Sequence, residues 1–431
     1  MPGFLGLIRG NRNYRFAWTG QVVSEIGDHF NNIAVFSLAL ATTHSGLVVS
    51  GVMLSRAVPA VLAGPLAGVI LDRLDRRTVM IASDLTRAVV AALFIFTVHQ
   101  PRPALLYVLS GLLMFASPFF TAGRAAILPR IASSEELHTA NSLTQTTQWT
   151  TTTIGTFIGG FSAAQFGYST AFVINSLSFV VSAWCISRVQ LPAGDVRPKA
   201  AAMTEADIMR PFRDYAEGLR YLKAQPLLLA IALLGVGWAS GGGAAQILFS
   251  IFGELVFKRG PAGIGIIWAA AGLGLIVGGA IAHKIGPRLS FAAYKRTVAI
   301  CYLVHGGSYV LFSQSQQFPV ALFWIGLSRA AVAVSSVLNW SLLLRHVDDA
   351  FRGRVFATNE SLVWATMMLS MLAAGLASQS VDPRTIGAVA GVVSSLTALY
   401  WMWADHVGLL VEPTTKGGDP DDVEVRTEMT A

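Results

Sequence analysis

Gly68-Val69-Ile70-Leu71-Asp72-Arg73-Leu74-Asp75-Arg76-Arg77 joins two apolar runs through a turn crowded with charge. Apolar sequence reaches the turn from Val48 and resumes at Thr78, leaving six residues, Asp72 to Arg77, to reverse the chain. A short turn of this kind between two membrane-length runs marks the cytoplasmic face of a bilayer, because Lys and Arg are retained preferentially on that side. The rest of the chain is oriented from this point.

The composition agrees with a membrane setting. Of 431 residues 53% are hydrophobic and 13% charged, with a mean hydropathy of +0.57, where a soluble domain carries roughly 25% charged residues. We read twelve apolar spans, near 16–42, 46–71, 78–99, 104–129, 138–166, 169–188, 226–254, 262–285, 295–313, 318–345, 353–379 and 385–408. Each is long enough to cross a hydrocarbon core of about 30 Å as a helix, and most lack the polar face that a soluble helix needs. The expected fold is therefore all-α, twelve transmembrane helices in two six-helix halves, with both termini on one side. With the N-terminus cytoplasmic, 25 of the 31 Lys and Arg fall on the cytoplasmic side and 4 on the other, while Arg56 and Arg329 lie inside spans. That asymmetry sets the orientation. It also argues against nucleic-acid binding, since the basic residues are dealt into alternate loops rather than gathered on one face. Cys185 and Cys301 both fall in predicted spans, so neither a disulfide framework nor a metal-binding spacing exists. The N-terminal region, with Arg9, Arg12 and Arg15 before a long apolar run and no small-residue cleavage site, predicts an uncleaved first span.

The loops opposite the charged turn are short, and one long cytoplasmic segment interrupts the pattern between Val189 and Pro226. Its first part, Pro192-Ala-Gly-Asp-Val-Arg-Pro198, reads as linker. Its second part, Met209 to Lys223, reads as an amphipathic helix with Phe212, Tyr215, Leu219 and Leu222 on one face, placed on the membrane surface or against the bundle. The expected divisions are a six-helix half over 1–188, a linker over 189–225, a second half over 226–410 and an acidic, disordered tail over 411–431. Weak similarities between the halves share an offset of about half the chain, as in transporters built from two parallel repeats.

The opening stretch, Gly-x-x-x-Asp-Arg-x-x-Arg-Arg, resembles the signature loop of the major facilitator superfamily, with Asp75 where a glycine is usual. Together with Asp84-Leu85-Thr86-Arg87 it is similar to the branch that includes macrolide efflux proteins and the enterobactin exporter. Ser24-Glu25-Ile26-Gly27-Asp28, Arg124-Ala-Ala-Ile-Leu-Pro129, Leu137-His-Thr-Ala-Asn141, Ala171-Phe-Val-Ile-Asn175 and Arg352-Gly-Arg-Val-Phe356 fit the same branch. The resemblance spans about Asn11 to Leu410 and implies alternating access between two halves. Gly155-Thr156-Phe157-Ile158-Gly159-Gly160 keeps the glycines, but not the proline, of a fifth-helix motif that family exporters carry.

Three groups of candidate residues follow. The first is a cytoplasmic latch. Asp72 ends the second span, and a carboxylate facing the N-terminus of the eleventh span, near Gly353, gains roughly 0.3–2 kcal/mol from the helix dipole. The latch set is Gly68, Asp72, Arg73, Arg76, Arg77, Asp84, Arg124 and Gly353; the competing reading has Asp72 merely capping a turn with Arg73 and Arg76. The second group is a coupling set, Asp28, Glu25 and Arg56. A carboxylate at mid-membrane is costly and marks function by default. Asp28 and Arg56 sit at similar depth, as a proton-carrying pair or as a fixed strut, and Glu25 is the alternative proton carrier. The third group lines a substrate cavity: Asn31 and Asn32 in the first span, Gln145, Gln148 and Trp149 in the threonine-rich fifth, then Trp238, His305, Arg329, Asn339 and Glu360. Threonines bonded to their own backbone are the competing account of the fifth span, and packing competes for the lone His305.

No nucleotide-binding loop and no convergent catalytic set is present, so the chain reads as neither an ATP-driven pump nor an enzyme, with no cofactor and no metal. The expected function is secondary, proton-driven export of amphipathic small molecules, drugs or a siderophore, by a monomer in the cell (plasma) membrane, with protons, the small-molecule substrate and the lipid bilayer as its partners. A lipid or lysolipid flippase on the same fold and a non-transporting sensor or accessory subunit are the alternatives. A lateral apolar gap between helices would favour lipid; a closed central cavity would favour drugs.

Overall fold

The structure, a computed structural model, describes residues 4–100, 102–190, 205–347 and 349–412. The Pro192–Pro198 linker and the acidic tail from 413 onward lie outside the described residues, as does the side chain of Gln145. The chain is helical almost throughout. After a short α1 (Phe4–Gly10) come α2 (Arg12–Thr43), α3 (Gly46–Arg73), α4 (Arg76–Leu93), α5 (Ile95–His99), α6 (Pro103–Ile131), α7 (Ser134–Phe166) and α8 (Tyr168–Ser187). The linker helix is α9 (Glu205–Ala224). Then follow α10 (Pro226–Ile251), extended by one π-helical turn over Phe252–Val256, α11 (Gly260–Ile285), α12 (Phe291–Gln314), α13 (Phe318–His346), α14 (Asp349–Ala377) and α15 (Pro383–His406).

Local chemistry sets these boundaries. Proline opens α6, α10 and α15, where its missing N–H costs nothing. Ser133 and Glu136 form a reciprocal capping box at α7. Asn11 caps α2 through Tyr14 N and also donates to Glu136 at 2.9 Å, which ties the start of α2 to the α6–α7 junction. The single residue between α7 and α8, Gly167, has φ +81, a backbone region that favours glycine. Asp75, which stands where the resembled loop prefers glycine, accepts from the backbone N–H of Thr78 at 2.9 Å and from its hydroxyl at 2.6 Å. It is the N-cap of α4 rather than a partner of Arg76, Arg77 or the linker helix. An N-cap carboxylate pulls the chain into the next helix without glycine's freedom.

Among the described residues nine helical segments are long and apolar enough to cross a membrane. Helices α2, α7 and α12, with 32, 33 and 24 residues, are as long but more polar. Their polar side chains are turned into the protein: Gln21, Ser24, Asn31 and Ser37 on α2, Thr147, Thr151 and Thr156 on α7, and His305 and Ser308 on α12 are buried. Inside a bilayer, polar groups of this kind are affordable only on faces covered by neighbouring helices.

The packing is repeated. Among the earlier helices α2 packs on α7 and α8, α3 on α6, and α4 on α6 and α8. Among the later ones α10 packs on α14 and α15, α11 on α13, and α12 on α13 and α15. Two broad seams join the sets, α3 with α14 and α7 with α11. The linker helix lies on the second set. Arg354 of α14 is held by Asp214 at 3.2 Å and Glu217 at 3.0 Å, Tyr221 stacks on Phe351 at 4.9 Å, and Leu222 is buried.

The seams are tight at the end away from the charged turn. Ser50 of α3 donates to the Met371 carbonyl of α14 at 2.9 Å, and Ser37 of α2 donates to Glu254 of the π-helical turn at 2.6 Å. Gly160 of α7 meets α11 so closely that a Cβ there would stand 2.6 Å from the Pro261 carbonyl and 2.9 Å from the Gly265 Cα. Small residues permit this approach. Towards the other end, Cβ positions at Gly64, Gly68 and Gly353 would meet nothing within 4 Å.

Candidate functional site

Between the two sets lies a cavity of about 490 Å³ with walls from α2, α3, α6, α7, α10, α11 and α14. Its polar groups are His29 and Asn32 on α2, Arg56 on α3, Thr152 and Thr156 on α7, and Gln246 on α10. Met53, Met114, Met368, Met371, Trp268 and Trp364 supply much of the remaining surface. Methionines adapt to irregular ligands, and the two indoles offer flat apolar faces. No carboxylate lines this cavity among the described residues.

Helix α2 distributes its polar residues to three neighbours. Asn32 faces the cavity and accepts a hydrogen bond from Arg56. Glu25, two turns earlier, faces α6 and α7: it accepts from Arg124 at 3.4 Å, from Thr151 at 2.8 Å and from Gln21 at 2.8 Å. Asn31 faces the interior of the first set, 1% exposed, with neither its amide nitrogen nor its oxygen bonded. The expected Asp28–Arg56 pair is not formed. Arg56 turns instead to the neutral amide of Asn32 and to the sulfur of Met114 at 3.9 Å, while one buried oxygen of Asp28 has no partner. A helical turn separates Asp28 from Asn32, so the two residues share a face of α2 and compete for one guanidinium.

The latch set divides by location. Arg77 donates to the Ser187 carbonyl at the end of α8, and Arg76 reaches the Ala126 carbonyl of α6 at 3.4 Å. These bonds brace the charged turn against its own set. Asp84 and Arg87 form an ion pair buried within that set, with the guanidinium 4.8 Å and 4.4 Å from the ring centroids of Phe120 and Phe179. Arg124 belongs to Glu25. Asp72, Arg73 and Gly353 are exposed, and among the described residues neither Asp72 nor Arg73 makes a hydrogen bond or ion pair. Among the described residues no hydrogen bond or ion pair joins Asp72 to the start of α14.

Of the remaining candidates, Trp149 is exposed and packs beside Gly279 of α11 rather than in the cavity, and Gln148 is not part of the cavity wall. The threonines of α7 mostly bond to the carbonyl four residues back, as Thr146, Thr150, Thr152, Thr153 and Thr156 do. Only Thr152 and Thr156 also reach the cavity. Asn339 accepts from the Tyr294 hydroxyl at 2.7 Å in the core of the second set. His305 is buried against Ser328, whose hydroxyl lies 2.8 Å from its Nδ1. Trp238 packs against Gly242, and its indole N–H has no acceptor. Glu360 is exposed, one turn beyond the cavity-lining Trp364. Arg329 lies buried behind the cavity wall, its guanidinium 5.1 Å from the centroid of Phe249. Sequence reasoning missed His29, Gln246, Trp268, Trp364 and the four methionines. Only His29 carried a signal, as a polar residue beside Asp28.

Comparison with known proteins extends the picture. A family model described as Major Facilitator Superfamily matches residues 17–294. The chain is 26% identical over 427 residues to the uncharacterized MFS-type transporter YfiS of Bacillus subtilis strain 168, covering 95% of this chain and 98% of that one. It is 26% identical to the enterobactin exporter EntS of Escherichia coli O127:H6, covering 81% and 82%. It is 21% identical to macrolide efflux protein A of Streptococcus pyogenes, covering 83% and 87%. A crystal structure of the nucleoside transporter NupG superposes with a TM-score of 0.69 at 14% identity, covering 90% of this chain and 99% of that one.

Proposed function

The chain belongs to the major facilitator superfamily, a transporter and not an enzyme, and on that premise we propose that it is a proton-coupled secondary exporter of amphipathic small molecules. Twelve spans, α2, α3, α4 with α5, α6 to α8 and α10 to α15, form two halves, residues 1–188 and 226–410, joined by the 189–225 linker. Both termini are cytoplasmic, and the protein works as a monomer in the plasma membrane. The halves rock about the cavity. The observation that supports this reading is the cavity itself, walled by helices of both proposed halves and bounded where Ser50 meets Met371. Its methionine and tryptophan surface suits an apolar body and its six polar groups a polar one. Relatives named for enterobactin export and macrolide efflux support the outward direction.

One observation favours a lipid-like cargo as a second reading. Val61 of α3 and Trp364 of α14 both line the cavity and are 66% and 53% exposed, so its lining there includes apolar side chains with exposed surface. Proteoliposomes with an imposed pH gradient, loaded in parallel with a macrolide, a catecholate siderophore and a lysolipid, test both. Gradient-dependent movement of a drug or siderophore is expected. Movement of the lysolipid alone would replace export by flipping, and movement independent of the gradient would remove proton coupling.

A further inference from the structure

We propose that this cavity receives organic anions, cargo bearing a carboxylate or a comparable acidic oxygen group, through Arg56 on its wall and a donor cluster of Arg329, Tyr309 and Trp268 at and behind that wall. The proposal rests on the exporter reading above and adds the charge of the cargo.

Charge is the first argument. The cavity wall holds the guanidinium of Arg56 and no carboxylate among the described residues. The acids of the first half are placed elsewhere: Glu25 is bonded to Arg124, Asp84 to Arg87, and Asp28 is not a wall residue. A cationic cargo would find no counter-charge here.

Arg329 supplies the second argument. It is 6% exposed in the middle of α13, and among the described residues it has no hydrogen bond and no ion pair; the face of Phe249 lies under it, with His305 and Tyr309 nearby. A buried guanidinium without a counter-ion is costly and is retained where something else pairs with it. Among the described residues the second half offers no resident carboxylate partner. Glu254 is bonded to Ser37 at the closed end, Glu360 is exposed, Asp405 holds Lys295, and Asp382 caps α15.

The third argument is a surplus of donors. The Trp268 indole N–H and the Tyr309 hydroxyl are both buried without a partner. Trp268 touches the residue that Arg329 covers, and Tyr309 lies one ring further away. Trp268 meets Phe249 edge-on at 5.1 Å, and Tyr309 reaches it through Phe312, at 5.6 Å and 5.9 Å. Indole and guanidinium only donate, so they cannot satisfy one another. The one acceptor in the set, the Tyr309 hydroxyl, is neutral and cannot counter the guanidinium charge, whereas an anionic acceptor matches the planar donor fork of arginine. Trp268 is itself a wall residue and Gln246 lies three residues before Phe249 on α10, so the cluster begins at the cavity surface.

The test uses the purified full chain in detergent and three probes that share one ring and one chain: 1-pyrenebutyrate, 1-pyrenebutanol and 1-pyrenebutylamine. Affinity is read from energy transfer between tryptophan and pyrene. Wild type is expected to bind the butyrate at least about tenfold more tightly than the alcohol, about 1.4 kcal/mol, and the amine most weakly. Arg329→Gln should erase the preference for butyrate and leave the alcohol unchanged, which also certifies that the variant is folded. Arg329→Lys should keep part of the preference, and Tyr309→Phe should lose part of it. Equal binding of all three probes by wild type, or a preference for the amine, would overturn the anion class while leaving export intact. Undiminished butyrate preference in Arg329→Gln would remove the donor cluster from the site. Failure of wild type to bind any of the three would bring down both the exporter reading and this one.

Discussion

Glu25 of α2 and Arg124 of α6 form an ion pair at 3.4 Å, and the second oxygen of the same carboxylate accepts from Thr151 of α7 at 2.8 Å. One carboxylate therefore holds three helices of the first set together, next to the cavity but outside it. Both side chains are mostly covered, so the pair is screened less than a surface bridge.

Removing one partner leaves the other charge poorly compensated. Glu25→Gln and Arg124→Gln should each lower the melting temperature in detergent, and the double variant should recover part of the loss. A thermal double-mutant cycle should return a coupling of about 1 kcal/mol. Additive effects would show that the two charges do not sense each other.

Asp28 has a buried oxygen without a partner and no ion pair with Arg56, which argues against a fixed strut. Asp28→Asn should fold and melt like wild type but lose the dependence of transport on an imposed pH gradient. Measurement is by counterflow and gradient-driven flux in the same proteoliposomes. A variant that fails to fold would restore the strut, and an unchanged pH response would pass the proton to Glu25.

The proposed latch between Asp72 and the start of α14 requires a conformation in which those ends of α3 and α14 meet. Asp72→Asn should leave expression and melting near wild type, since the side chain makes no bond here, yet slow transport severalfold by favouring the open form. Unchanged transport at equal expression would refute the latch.

Gly160 and Gly353 sit at opposite ends of the steric scale. Gly160→Val places side-chain atoms where the α11 backbone stands, an overpacking that costs about 1–3 kcal/mol. Gly353→Ala meets open space near the start of α14 and should be neutral or stabilising by up to about 1 kcal/mol. Melting of the two variants side by side checks the contrast. Tolerance of Gly160→Val would mean that the α7–α11 seam is looser than described.

Much of the architecture was legible in the sequence because it rests on local rules. Runs of apolar residues cross bilayers, and charged turns separate them, so the helices fall within a few residues of their expected bounds. The linker helix, read over Met209–Lys223, spans Glu205–Ala224. The site was legible only in part. Polar residues in α2 and α7 were visible as costly, and the cost is real, but composition does not say which neighbour covers each one. Asn31 and Asn32 are adjacent in sequence and 100° apart on the helix, so one is buried among the helices of the first set and the other lines the cavity. Trp149 and Gln148 carried the chemistry of a binding site without the position for it. The methionines and Trp268 carried no signal at all, because an apolar residue in an apolar span reads as lipid-facing or core until its neighbours are known.

The sequence by itself determined that the chain is a bundle of long membrane helices of the major facilitator kind, since hydropathy, the charged turn at Asp72–Arg77 and the family motifs are properties of order along the chain. Only the tertiary structure decided the pairings: Arg56 with Asn32 rather than Asp28, Glu25 with Arg124, and Arg329 with no acid among the described residues. Charge pairing depends on separations of a few ångströms between different helices, and those separations come from packing hundreds of residues at once.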